Sequence, residues 1–245
     1  MIRLSNVTKD FGRKVAVRDL TLDVPEGELF AFLGPNGAGK TTTIKMIAGL
    51  LRPTRGDISV CGFDVQRDYI EAKRRMAYVP DQPYLYDKLS GFEFLEFIGE
   101  MYGMEREGRR REIARLSELF DMGAYLDLLT ESYSHGMKQR VVLAGTLLHK
   151  PKVMVVDEPL VGLDPHTSRL VKGIFKDQAR AGTTIFMSTH VISIAEDVAD
   201  RVGIILEGKV VALGTVADLR RQANHDGKLE DVFFKITEGQ NGDSP

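Results

Sequence analysis

The segment LFAFLGPNGAGKTTTIKMIAGLLRP, residues 29–53, decides the fold. Its first five positions are an unbroken apolar run, read as a buried strand, and Ile44, Ile47, Ala48 and Leu51 then recur at helical spacing until Pro53 and Gly56 stop the helix. Between strand and helix, Gly34-Pro35-Asn36-Gly37-Ala38-Gly39-Lys40-Thr41 fits the pattern G-x-x-x-x-G-K-[ST]. A phosphate chain needs several backbone N–H groups converging on it, and Cβ atoms would obstruct their approach, so glycines are the residues for such a loop. The dipole of the helix start adds to the field. Lys40 would set a positive charge on the β and γ phosphates, and the Thr41 hydroxyl, with Thr42 beside it, would reach the Mg²⁺ that accompanies a nucleotide. A glycine-rich turn with a chance lysine would not explain why the loop joins a strand to a helix.

Working outward, residues 153–156, 183–187 and 202–206 read as further buried strands, with helical patterns at 170–175 and 191–198. Short apolar strands alternating with helices predict a mostly parallel α/β sheet. Residues 90–148 differ, with helical periodicity and no good strand candidate, so a helical subdomain inserted into the core is expected there. Its first helix carries a capping box, Ser90 with Glu93, and is expected to bury Phe94, Ile98 and Met101 on one face. Phe92 and Phe97 fall off that stripe, and either fill the subdomain core or line a partner-docking groove. Glu207-Gly208-Lys209 between apolar runs predicts a hairpin, and Leu229, Val232, Phe233 and Ile236 lie at helical spacing. The end, GQNGDSP, residues 239–245, has nothing to bury and is expected to be disordered, leaving 1–238 as one domain.

The run Val153-Met154-Val155-Val156 ends in Asp157-Glu158. A solvated strand end would account for that pair alone; beside a phosphate loop, Asp157 is expected to bind Mg²⁺, and Glu158 to orient or deprotonate the attacking water. His190, in Ser188-Thr189-His190, also follows a strand and would hold a γ phosphate and its water in line. His135, His149, His166 and His225 have no comparable placement and no convincing metal-ligand spacing.

Composition narrows the classes. With 33 basic and 35 acidic residues the net charge is -2, which argues against a nucleic-acid-binding surface. Cys61 is the only cysteine, so an internal disulfide and a cysteine-rich metal site are excluded and a cytosolic setting is expected. No stretch approaches the length of a bilayer-spanning helix, and MIRLSNVTKDFG lacks the apolar core of a signal peptide.

The loop at Gly34, the Asp157-Glu158 pair and His190 resemble the ABC ATPase family in order and spacing. Tyr133-Ser134-His135-Gly136-Met137-Lys138-Gln139-Arg140 resembles the family's signature and lies shortly before the acidic strand. The resemblance covers nearly the whole chain. It implies a P-loop α/β ATPase core, an N-terminal antiparallel β subdomain and an inserted α-helical subdomain at about 90–148. It also implies that Ser134 and Gly136 of one subunit donate hydrogen bonds to ATP held by a second, in a homodimer or a heterodimer with a paralogue. His135 and Met137 depart from the usual L-S-G-G-Q, in a form that resembles an exporter-type subgroup. Phe11 stands where the family stacks an aromatic ring on adenine, with a core phenylalanine as the alternative. Gly162-Leu163-Asp164 resembles the loop that communicates across the dimer, with a plain helix cap as its alternative. In Tyr78-Val79-Pro80-Asp81-Gln82, either Asp81 or Gln82 would serve as the glutamine-loop residue near Mg²⁺. Residues 229–233 resemble the tail of exporter ATPases. The expectation is an ATPase subunit peripheral to the inner face of the cell membrane, driving a separately encoded permease. The rivals are a soluble ABC ATPase serving DNA repair, translation or protein assembly, and a phosphate-loop kinase, which leaves the signature segment unexplained.

Overall fold

The computed structural model describes residues 1–224 and 227–241, the last four of them by backbone alone. Two strands open the chain, β1 (Ile2–Asp10) and β2 (Val15–Val24), followed by β3 (Leu29–Leu33) and α1 (Lys40–Ile47). Next come β4 (Arg55–Val60), β5 (Phe63–Asp64), α2 (Tyr69–Arg74) and β6 (Met76–Val79). Three helices then intervene, α3 (Gly91–Met101), α4 (Arg106–Leu119) and α5 (His135–Leu147). The chain returns to the sheet with β7 (Val153–Asp157), α6 (Pro165–Arg180), β8 (Thr184–Thr189), α7 (Ile192–Val198) and β9 (Arg201–Leu206). It finishes with β10 (Lys209–Gly214), α8 (Val216–Gln222) and α9 (Leu229–Asn241).

The strands form two sheets, an antiparallel one in the order β2-β1-β4-β5 and a six-stranded one in the order β10-β9-β3-β8-β7-β6. In the larger sheet β6, β7, β8, β3 and β9 run parallel and only β10 is antiparallel. The central strands are buried on both faces, which explains their unbroken apolar runs. Alternation along β3 sends Phe30 and Phe32 to one face, where with Phe186 they pack against the residues of β1, β2 and α1. Leu29, Ala31 and Leu33 face the other way, into the core shared with α3, α5 and α6. Full burial of one such aromatic or leucine stabilises the fold by about 1.5–3 kcal/mol.

Several local readings differ from the outcome. The helix after the glycine-rich loop was expected to continue to Pro53, but α1 stops at Ile47, because Gly49 at φ 67 makes a left-handed cap with Leu50 N–H donating to Lys45 O. In α3 the Ser90–Glu93 capping box is present. Its buried face comprises Gly91, Phe94, Leu95 and Gly99, and Ile98 packs against the same core; of the expected stripe only Met101 departs, at 69% exposed. Gly99 sits under the Arg109 side chain of α4, where a Cβ would collide with it. Phe92 packs against the core; Phe97 is partly exposed, edge-on to Tyr86. The β9–β10 hairpin turns at Glu207 and Gly208, both at positive φ. α9 buries Leu229 and Val232 and continues through 239–241, where disorder was expected; residues 242–245 and His225 lie outside the described residues. No helix among the described residues is long and apolar enough to cross a membrane.

Candidate functional site

Parallel register places three strand ends side by side: Leu33 pairs with Thr189, and Asp157 with Ser188. The loop after β3, the acidic pair at the end of β7 and His190 after β8 therefore meet above the carboxyl edge of the sheet, where α/β folds leave a crevice. At the loop itself the backbone runs tight. A Cβ on Gly34 would lie 2.3 Å from Ile205 O, and one on Gly39, at φ 113, would lie 2.5 Å from Ala16 O. Lys40, the first residue of α1, is 5% exposed. Its Nζ donates to Gly34 O (2.8 Å) and Pro35 O (3.2 Å) and pairs with Glu158 Oε1 at 3.4 Å.

Asp157 is fully buried. Its Oδ1 accepts from the Ser188 hydroxyl, while Oδ2 has no hydrogen-bond partner. Burial pushes its pKa up, against the pull of the Ser188 and Thr41 hydroxyls. Tyr78 is pushed up to about 12 by burial and by the carboxylates of Asp157 and Asp81. A buried, unpartnered carboxylate oxygen beside a threonine hydroxyl is the donor set of a hard divalent cation that keeps most of its ligands from phosphate and water. Among the described residues no cluster of three His, Cys, Asp or Glu could hold a metal ion. The residues fit Mg²⁺ held by Thr41 and Asp157.

Glu158 departs from strand geometry at φ 48, which swings its side chain away from that of Asp157. The strained turn is held by its N–H, which donates to Ser188 Oγ at 3.1 Å. Its Oε1 lies 2.9 Å from His190 Nδ1, and Oε2 accepts from the His190 N–H at 3.3 Å. Lys40, Glu158 and His190 thus form a connected trio.

A cavity of about 720 Å³ opens over this trio. Asn36, Gly37, Gly39, Thr41 and Thr42 line one side, Asp81 and Gln82 another, and Phe11 and Lys14 the outer rim. Phe11 is 56% exposed with Lys9 Nζ 5.0 Å from its ring centre, so the core alternative fails. Both Asp81 and Gln82 reach the cavity, and Asp81 accepts from the Gln82 N–H. Pro35 and Ala38 border a smaller neighbouring cavity with Leu206 and Glu207. Ser134 caps α5, its Oγ accepting from Met137 N–H, and the cavity lining includes neither it nor Gly136. His135 does line the cavity and lies against Gly162. Asp164 caps α6, accepting from the N–H groups of His166 and Thr167, which satisfies the plain helix-cap reading. Sequence reading missed Ser188 and Lys14. Ser188 had a visible signal, since it stands two residues before His190 at the end of an apolar strand; Lys14 had none.

A family model described as ABC transporter matches residues 17–161. The linearmycin resistance ATP-binding protein LnrL of Bacillus subtilis is 35% identical over 97% of this chain and 76% of its own length. The daunorubicin/doxorubicin resistance ATP-binding protein DrrA of Streptomyces peucetius is 36% identical over 89% of this chain and 66% of its own. A solved ATP-binding subunit of an ABC transporter superposes with a TM-score of 0.91 at 32% identity, covering 97% of this chain and 99% of that one. The ATP-binding cassette MJ0796, a dimer bound to ADP and Pi, superposes at 0.80 with 26% identity over 88% and 99%.

Proposed function

Because the chain belongs to the ABC transporter family of ATP-binding proteins, we propose that it hydrolyses ATP to drive a separately encoded membrane permease, in an exporter. The observation that carries the hydrolytic part is the trio of Lys40, Glu158 and His190 at the floor of one cavity. Lys40 and the backbone N–H groups of the loop bind the phosphates. Glu158 takes a proton from the attacking water, and His190 holds Glu158 in place through two contacts. Phe11 offers its exposed ring to the base. Thr41 and Asp157, with Asp81 or Gln82 nearby, would hold Mg²⁺, which would supply positive charge against that developing on the phosphates. Ser134 and Gly136 stand at the N-terminus of α5 outside their own chain's cavity, which suits donation to ATP held by a second copy or a paralogue. Since a nucleotide would touch both subunits only when they close, its binding drives closure.

Export rests on the resistance proteins among the relatives. For the permease, a groove of about 900 Å³ between α2, α3 and α4 exposes Tyr69, Ile70, Met101 and Tyr102 beside Lys73 and Lys150. Its apolar floor and basic rim suit a short cytoplasmic helix with apolar anchors and acidic flanks. On this reading the chain works at the cytoplasmic face of the membrane. The test is affinity purification from detergent-solubilised native membranes, followed by mass spectrometry and an ATPase assay. Recovery of a multispanning protein with activity supports the reading; reproducible recovery of soluble partners alone refutes the transport half.

A further inference from the structure

The loop that carries Glu158 is gripped at both ends. At its start Glu158 is bonded to Ser188 in a left-handed conformation, and at its end Asp164 enters α6. A residue held in strained backbone keeps its place only while its surroundings over-determine it. Beyond the contacts of Glu158 with Ser188, His190 and Lys40, α5 supplies a further set to the loop that follows it. Gln139, 2% exposed, donates from Nε2 to Pro159 O at 3.3 Å, immediately after Glu158. Arg140 donates through Nη2 to Thr167 Oγ1 at 2.6 Å, and the Thr167 hydroxyl donates in turn to Asp164 Oδ2 at 2.6 Å. The other guanidinium nitrogen of Arg140 donates to Phe120 O and Asp121 O, just past the end of α4. The Arg140 side chain therefore ties α4, α5 and the entry of α6 together, and the buried Thr167 hydroxyl carries its connection to the far end of the loop, while Gln139 holds the near end.

We propose that Arg140, Thr167 and Asp164 form a relay of positioning residues that fixes Glu158 against the phosphate loop, so that movement of α4 or α5 moves the general base. The proposal rests on the reading of Glu158 as that base. The polarity of the relay is set. Arg140 can only donate, so Thr167 Oγ1 must accept from it and spend its own proton on Asp164. A valine in place of Thr167 keeps the volume and loses both bonds. Misplacing a catalytic group by about 1 Å costs on the order of 100-fold in rate, and such a displacement would disturb the 2.9 Å and 3.4 Å contacts of Glu158 with His190 and Lys40.

The experiment compares Thr167→Val, Thr167→Ser and Arg140→Lys with the parent chain by steady-state ATPase kinetics, ATP titration and thermal melting, with Glu158→Gln alongside. Thr167→Val is expected to lower kcat about 10- to 100-fold with KM and ATP affinity near the parent. Thr167→Ser keeps the hydroxyl and opens a methyl-sized void at a site 1% exposed, so it should melt earlier yet retain kcat. Packing alone would give the opposite order, Thr167→Ser impaired and Thr167→Val spared, and that order overturns the proposal. Arg140→Lys, whose ammonium cannot span the carbonyls and the hydroxyl together, should follow Thr167→Val and decides the matter if the valine variant does not fold. An unchanged kcat in Arg140→Lys and Thr167→Val, with Glu158→Gln inactive, sinks the relay alone. Parent-level turnover in Glu158→Gln sinks the base assignment and the relay with it.

Discussion

Replacing Glu158 by glutamine separates binding from chemistry at the centre of the site. The amide keeps an oxygen where Oε1 meets His190 Nδ1 at 2.9 Å, so the side chain should stay in place. It cannot accept a proton at neutral pH, and general-base assistance contributes roughly 10²–10⁴ in rate, or about 2.7–5.4 kcal/mol of barrier. Binding should move the other way. Glu158 pairs with Lys40 at 3.4 Å, both side chains mostly shielded from solvent, and a triphosphate must compete for that ammonium. Releasing Lys40 from a partly shielded pair of about 1 kcal/mol tightens ATP about fivefold. The assay pairs a steady-state phosphate-release measurement with calorimetric titration of ATP in the presence of Mg²⁺. Turnover within threefold of the parent, or a weaker ATP affinity, would refute the assignment of Glu158 as base and as the residue restraining Lys40.

Three further outcomes are expected. Asp157→Asn keeps an acceptor for Ser188 and removes a charge that burial disfavours, so the melting temperature should hold or rise while Mg²⁺-dependent turnover falls about 100-fold or more. Gly39→Ala forces a Cβ to within 2.5 Å of Ala16 O at φ 113; the backbone term alone costs about 1–3 kcal/mol, and both the melting temperature and ATP affinity should drop. His149, stacked on Tyr102 at 3.7 Å, has its pKa lowered by burial from 6.5 to about 4. The unfolded chain therefore binds the extra proton first, and this group's contribution to stability is lost as pH falls from about 6.5 toward 4. Urea unfolding at pH 7 and pH 5 should show the parent losing on the order of 1–2 kcal/mol relative to His149→Phe, which keeps the stack and does not titrate.

The parts of the fold that could be read from sequence were those where one physical requirement dominates. A strand buried on both faces must be apolar throughout, so β3, β7, β8 and β9 announced themselves. The phosphate loop did so because Gly34 and Gly39 stand where no Cβ fits. Readings failed where the outcome depended on a neighbour in space. Met101, the last residue of α3, is exposed, while Gly99 is covered by Arg109 of α4, a contact that helical periodicity in α3 cannot contain. The end of α1 was misjudged because a left-handed glycine ended the helix before the proline was reached. Within the candidate site, the strand-end residues were legible because each follows an apolar run. Ser188 carried the same signal and was passed over, whereas Lys14 and the partners of Arg140 carried none, since their roles arise from side chains meeting across long sequence separations.

The charge of Lys40 is balanced from within its own site. The ammonium of Lys40 is nearly buried, and two carbonyls of its own loop and the Glu158 carboxylate stand in for phosphate oxygens. Burying a cation is tolerable only when it is paired in this way. A triphosphate offers several charge-assisted bonds where the loop offers two neutral carbonyls, so it can outcompete them. Once Lys40 turns to phosphate, Glu158 retains His190 as its partner and an oxygen free to meet water. The same exchange that would bring a triphosphate onto Lys40 would therefore free Glu158 to act as the proposed base.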